Sequence, residues 1–194
     1  MVHGQAPVLA PAEGSTGVTI LAVGGPHTLG QEEWRPGSSY PAQLGVELER
    51  LGLSVSVINA GQDNPSPADS RARLADALAS HASDLVIWEL GRTAAAYYEG
   101  LGPVEDELVA AIEDSRANGA AVLLLDLGFA PDDMPHDRPP GYATTVRAVA
   151  ERYDAALLRL VIRRDLAPEH GFALEDEDAC IARLLARAIV AGKG

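Results

Sequence analysis

Four short stretches hold the side chains best suited to chemistry. They are His27-Thr28 behind Gly24-Gly25-Pro26, Asp63-Asn64 before Pro65-Ser66-Pro67, Glu89 with Arg92-Thr93, and the run Asp132 to Asp137 around His136. An imidazole, a carboxylate and a guanidinium in one partly dry pocket can abstract a proton and return it. Within that chemistry His27, Arg92 and Glu89 are the catalytic candidates. Pro26, Thr28, Asp63, Asn64, Thr93 and Phe129 are the candidates for binding a substrate.

Each residue also has a plainer use. His27, beside a proline, reads equally well as a loop histidine. Glu89 closes an apolar run and reads first as a buried hydrogen-bonding group, then as an acid or base. Arg92 can grip a ligand carboxylate, enolate or phenolate through its planar fork, or pair with Glu89 or Asp63. Asp63 and Asn64 suit a turn and a helix cap. The Asp132–Asp137 run has metal-ligand residue types but no His-x-x-x-His spacing, and reads as an exposed, proline-broken loop, so no metal site is expected. Ser38, Ser39 and Ser66 are possible nucleophiles. Ser39 precedes a helix as an N-cap would, and none of the three sits in a strand–turn–helix elbow. Trp34, Tyr97, Tyr98 and Phe129 can line an apolar wall, whereas Trp88 reads as core.

Composition narrows the chemistry. The chain has 194 residues and a formal net charge of −13, which disfavours nucleic acid and anionic membranes as partners. Its one lysine is Lys193, so no framework lysine exists for a P-loop, a Schiff base or a pyridoxal phosphate site. No cofactor is expected. Lone Cys180 excludes an internal disulfide. No apolar run is long enough for a membrane span, and the first residues lack a signal-peptide pattern. The expected setting is cytoplasmic, the expected partner a small-molecule ligand, and the oligomeric state stays open.

The elements that must position these residues alternate. Apolar runs at 18–23, 54–59, 84–90, 120–126 and 155–161 predict strands. Helical patterns fall at 40–51, 67–82, 103–118, 142–153 and 178–190. Near-continuously apolar strands alternating with helices predict an α/β fold, a three-layer α/β/α sandwich around a five-stranded parallel sheet. Residues 1–17 read as a mobile lead-in and 18–194 as a single domain. Sites in such sheets form beyond the carboxyl ends of the strands, where all four stretches fall.

Val18 to Gly30, Ser39-Tyr40-Pro41-Ala42-Gln43-Leu44, Val57-Ile58-Asn59-Ala60-Gly61 and Asp84 to Gly91 resemble, in order and spacing, the SGNH (GDSL) hydrolases. The arylesterase, lysophospholipase and thioesterase branch is the nearest in look. The resemblance implies a flavodoxin-like architecture over about Val18 to Val190. It also implies where the hydrolytic groups would stand, and other residues stand there. Pro26 occupies the nucleophile position, Asn64 that of the oxyanion glycine, and Arg92-Thr93-Ala94 that of Gly-Asn-Asp. The Asp-x-x-His pair counts onto Ala173 and Asp176. Against the resemblance, the chain therefore reads as a repurposed, non-hydrolytic enzyme performing cyclisation, isomerisation or elimination on a small metabolite. A catalytically dead binding protein and an esterase with unconventional residues are the alternatives.

Overall fold

The computed structural model describes residues 2–3, 17–30, 37–63, 66–90, 101–129, 141–162 and 174–191. Five parallel strands form the sheet: β2 (Val18–Gly24), β3 (Val55–Gly61), β4 (Leu85–Leu90), β5 (Ala121–Phe129) and β6 (Ala156–Ile162). A sixth strand, β1 (Val2–His3), pairs antiparallel with Leu157 and Leu158 on the outer edge of β6. The five-strand expectation therefore gains one short antiparallel edge, drawn from the stretch read as a lead-in. Two residues carry no periodicity, so no sequence pattern could mark them.

The strand order is β1-β6-β5-β4-β2-β3. After β3 the chain crosses back to place β4 on the opposite side of β2, so a topological switch point opens between β2 and β4. That is where an open α/β sheet offers its ligand crevice.

Alternation along the strands splits the core into two layers. Ile20, Ala22, Leu85, Ile87, Leu123 and Leu125 pack under α2 (Tyr40–Arg50) and α6 (Leu174–Ala191). Leu21, Val23, Val86, Trp88, Leu90 and Leu124 pack under α3 (Pro67–Ser80), α4 (Gly102–Ala117) and α5 (Tyr142–Arg152). Trp88 is core, as its place in the strand predicts. The short α1 (Pro26–Leu29) follows β2 directly.

Helix α6 begins at Leu174, four residues before the predicted start. Glu175 to Asp178 thus lie inside its first turns, where the positive end of the helix dipole favours carboxylates. Among the described residues, no helix is long and apolar enough to cross a membrane.

Candidate functional site

Residue parity along β4 aims Glu89 to the same side as Leu85 and Ile87, toward α2 and α6. A carboxylate in that row is costly unless it is bonded. Glu89 is 3% exposed, and its Oε2 accepts the Thr28 amide at 2.7 Å and the Thr28 hydroxyl at 2.5 Å. The Thr28 hydroxyl has one hydrogen and spends it on Glu89. Tyr40 Oη, 3.2 Å away, must therefore be the donor in its contact with Thr28 Oγ1. Burial pushes the Tyr40 phenol far above its ordinary range, which keeps that donor proton in place.

From the other side Asn59 holds the same turn. Its Nδ2 donates to the Thr28 carbonyl at 2.7 Å, while its Oδ1 accepts the Gly61 amide at 2.9 Å. Gly24 makes the approach possible, because a Cβ there would stand 2.5 Å from both Glu89 Cβ and Thr28 Oγ1. Three strand ends and α2 thereby clamp α1, and α1 carries His27.

His27 is 24% exposed, with Nδ1 3.6 Å from Oδ1 of Asp178 on α6. This is an ion-pair distance, longer than a hydrogen bond. Burial works to lower the His27 pKa. The facing Asp178 carboxylate outweighs it, helped by the charges of Glu89 and Glu177, and holds the imidazole above its usual 6.5. Burial raises the Glu89 pKa, against the opposing pull of His27 and Thr28. Oε1 of Glu89 is buried and has no hydrogen-bond partner.

The structure thus brings together three of the residues singled out by sequence: His27, Thr28 and Glu89. Pro26 opens α1 as an exposed residue with no group able to attack a carbonyl, and Asp63 is exposed. Asn64, Arg92, Thr93, Ala173, Trp34, Tyr97, Tyr98 and the Asp132–Asp137 run lie outside the described residues, as do the side chains of Phe129 and Asp176. Ser66 caps α3 through a reciprocal pair with Asp69. Ser39 occupies the N-cap position of α2, but its hydroxyl makes no capping bond and instead lies 3.5 Å from Asn59 Nδ2.

Sequence reasoning missed Asp178, Glu177, Tyr40 and Asn59 as members of the site. Tyr40 and Asn59 stand inside the motifs that carry the family resemblance, which was the available signal. Asp178 falls in an acidic run that reads only as a helix start. On the opposite face of the sheet, buried Asp126 pairs with Arg159 at 3.3 Å. Among the described residues, no group of three His, Cys, Asp or Glu side chains could hold a metal ion.

With that geometry in hand, solved structures supply the context. The chain resembles AlinE4, an esterase of the SGNH-hydrolase family, at 22% identity and a TM-score of 0.64, over 90% of this chain and 98% of that one. It resembles TesA at 23% identity and 0.68, over 90% and 97%. A member of the lipolytic G-D-S-L family from Veillonella parvula gives 17% identity and 0.70, over 90% and 99%. The fold is that of the SGNH hydrolases. No protein-family model and no curated protein matches the sequence. On this SGNH-type scaffold the position after β2 holds proline followed by histidine, and a carboxylate on the last helix faces that histidine.

Proposed function

We propose that this protein is a non-hydrolytic acid/base enzyme acting on a small metabolite in the crevice between β2 and β4. The observation that carries the reading is the His27–Asp178 pair standing beside Pro26. The resembling hydrolases require a hydroxyl at position 26 and an imidazole before the last helix. Here the imidazole comes from the first turn after β2, and the last helix supplies the carboxylate. That arrangement has a proton carrier and no nucleophile.

His27, whose proton the facing Asp178 carboxylate favours against the opposing effect of burial, gives a proton to the ligand and takes one back. Cyclisation, isomerisation and elimination each need only such transfers. Glu89 positions the turn through Thr28. Arg92 completes the reading as a further catalytic residue, and Pro26, Thr28, Asp63, Asn64, Thr93 and Phe129 as ligand-binding residues, in a cytoplasmic enzyme that needs no cofactor.

The test uses a deproteinised small-molecule extract incubated with the protein in deuterium oxide enriched in heavy oxygen. Products are followed by high-resolution mass spectrometry. Deuterium entering a carbon position, abolished by His27→Ala, is the expected result. Heavy oxygen entering a new carboxylate, with a serine labelled by a fluorophosphonate, would make the protein an esterase. Retention of one compound without isotope incorporation would make it a binding protein.

A further inference from the structure

α1 has four residues, too few for a helix to hold itself together, since nucleating a single turn is unfavourable. Its N-cap is Gly25, which has no side chain to cap with. Two backbone bonds close the turn, Leu29 amide to Gly25 at 2.9 Å and Gly30 amide to Pro26 at 2.8 Å. What fixes α1, and His27 with it, comes from the neighbouring strands. In the order β4-β2-β3 the turn leaves the middle strand and is bonded from both sides. Glu89 on β4 takes the Thr28 amide and hydroxyl, and Asn59 on β3 donates to the Thr28 carbonyl at 2.7 Å.

Asn59 differs from Glu89 in being exposed, so core packing does not explain it, and asparagine is a poor strand former. Its amide is used at both ends. Oδ1 accepts the Gly61 amide at 2.9 Å while Nδ2 donates to Thr28. Both partners are backbone groups of fixed donor or acceptor character, so a single orientation of the amide satisfies both. Beside it the end of β3 lies directly against α1. A Cβ on Gly61 would stand 2.2 Å from the Leu29 nitrogen and 2.6 Å from the Thr28 carbonyl carbon.

We propose that Asn59 is a positioning residue for the acid/base reaction: by holding the Thr28 carbonyl to the end of β3, it sets the place of the adjoining His27 opposite Asp178. This rests on the reading of His27 as the proton carrier. The His27–Asp178 separation of 3.6 Å is just beyond a hydrogen bond, where a small movement of the turn makes or loses the contact. Among the described residues, the hydrogen bonds of Asn59 reach Thr28, Leu29, Ser39 and Gly61. None reaches His27 or Asp178, so Asn59 acts on the pair through the turn.

The test is a double-mutant cycle read on the His27 ring protons by NMR. Their titration is followed in the parent, Asn59→Ala, Asp178→Asn and the variant carrying both, the signals assigned by their loss in His27→Ala. Asp178 works to hold the imidazole above 6.5, so Asp178→Asn is expected to lower the midpoint. Asn59→Ala changes no charge and is expected to lower it by roughly half or more of that amount, as His27 drifts from its partner. In the Asp178→Asn background it should have almost no further effect, because the partner is already gone. Asn59→Asp supplies a second variant, which keeps the shape and the Gly61 bond but turns an acceptor toward the Thr28 carbonyl. Its added charge acts in both backgrounds, so the difference between them reads displacement alone and should match the sign found with alanine.

A midpoint in Asn59→Ala equal to the parent's, or one that falls equally in both backgrounds, overturns the inference. A purely structural Asn59 would lower the unfolding midpoint and leave the cycle at zero. The titration needs no substrate, so its outcome is separable from that of the acid/base reading. Isotope incorporation in the parent without coupling in the cycle would sink the positioning role alone. Coupling without isotope incorporation would sink the proton carrier and leave Asn59 holding His27 in a protein without such turnover. Where both hold, Asn59→Ala should slow incorporation about tenfold or more, as misplacing a reacting group does.

Discussion

Glu89 Oε2 accepts both hydrogens that Thr28 can offer, the amide at 2.7 Å and the hydroxyl at 2.5 Å. One oxygen at the end of β4 thus fixes the first turn after β2, across the switch point of the sheet. The hydroxyl is also the sole described hydrogen-bond partner of the buried Tyr40 phenol. It therefore sits in the middle of a three-residue chain.

Removing that hydroxyl should be costly. Thr28→Val keeps the shape and leaves Tyr40 without an acceptor and Glu89 with one donor fewer. Such a loss is worth about 1–3 kcal/mol. Urea unfolding measures it, and Thr28→Ser should recover most of the difference. A valine variant as stable as the parent would show that the hydroxyl chain contributes nothing.

The pH dependence of stability follows from the two shifted groups. His27 is held above 6.5, so the folded state binds its proton more tightly than the unfolded chain does. Its contribution is complete below about 6.5 and is lost as pH rises through the folded value. Glu89 is raised from 4.5 mainly by burial and has the same sign. Its contribution is complete below about 4.5 and is lost as pH climbs through its own folded value. The stability difference between parent and His27→Ala should therefore shrink on going from below pH 6.5 upward. The corresponding difference for Glu89→Gln should begin to change from about pH 4.5. Denaturant melts across a pH series read both, and a difference that grows with pH for His27→Ala would refute the assignment.

The sheet was legible because strands buried on both faces read as continuous apolar runs. Every parallel strand starts within a residue of its predicted place. The last helix was less legible, since acids at its beginning read as loop until the dipole is considered. Among the candidate residues, His27, Thr28 and Glu89 lie together, and strand ends mark all three locally. Asp178 was not found as the partner of His27. Nothing in the spacing of two residues so far apart encodes how α6 packs beside α2.

Close packing at the strand end gives a second stability prediction. Alanine at position 24 would put a methyl 2.5 Å from Glu89 Cβ and from Thr28 Oγ1, neither of which is a loose chain end. Overpacking of this kind costs about 1–3 kcal/mol, and here it also strains the Thr28–Glu89 bond. Gly24→Ala should lower the unfolding midpoint and broaden or shift the His27 NMR signals. An unchanged midpoint would mean that the two strands are further apart than described.

Ser66 should behave as a cap and not as a nucleophile. Its Oγ accepts the Asp69 amide at 3.1 Å, while Asp69 Oδ2 accepts the Ser66 amide at 3.0 Å. Ser66→Ala should cost about 1 kcal/mol of stability and leave any turnover unchanged. Loss of turnover at full stability would make Ser66 a candidate nucleophile again.

Restoring serine at the nucleophile position should not restore an esterase. Pro26 and His27 are neighbours on one helical turn, so their side chains diverge and an imidazole at 27 cannot reach a hydroxyl at 26. The group that α6 brings to the crevice is the Asp178 carboxylate, committed to His27 at 3.6 Å. A carboxylate is a poor base for a serine hydroxyl, and without an activating base the hydroxyl stays a weak nucleophile. Pro26→Ser should therefore hydrolyse p-nitrophenyl acetate no faster than the parent and should resist fluorophosphonate labelling. Rapid labelling of the Pro26→Ser variant at its new hydroxyl, abolished by adding His27→Ala, would show instead that the two side chains meet. The pair would then be a hydrolytic dyad awaiting its nucleophile, and not the proton carrier argued for above.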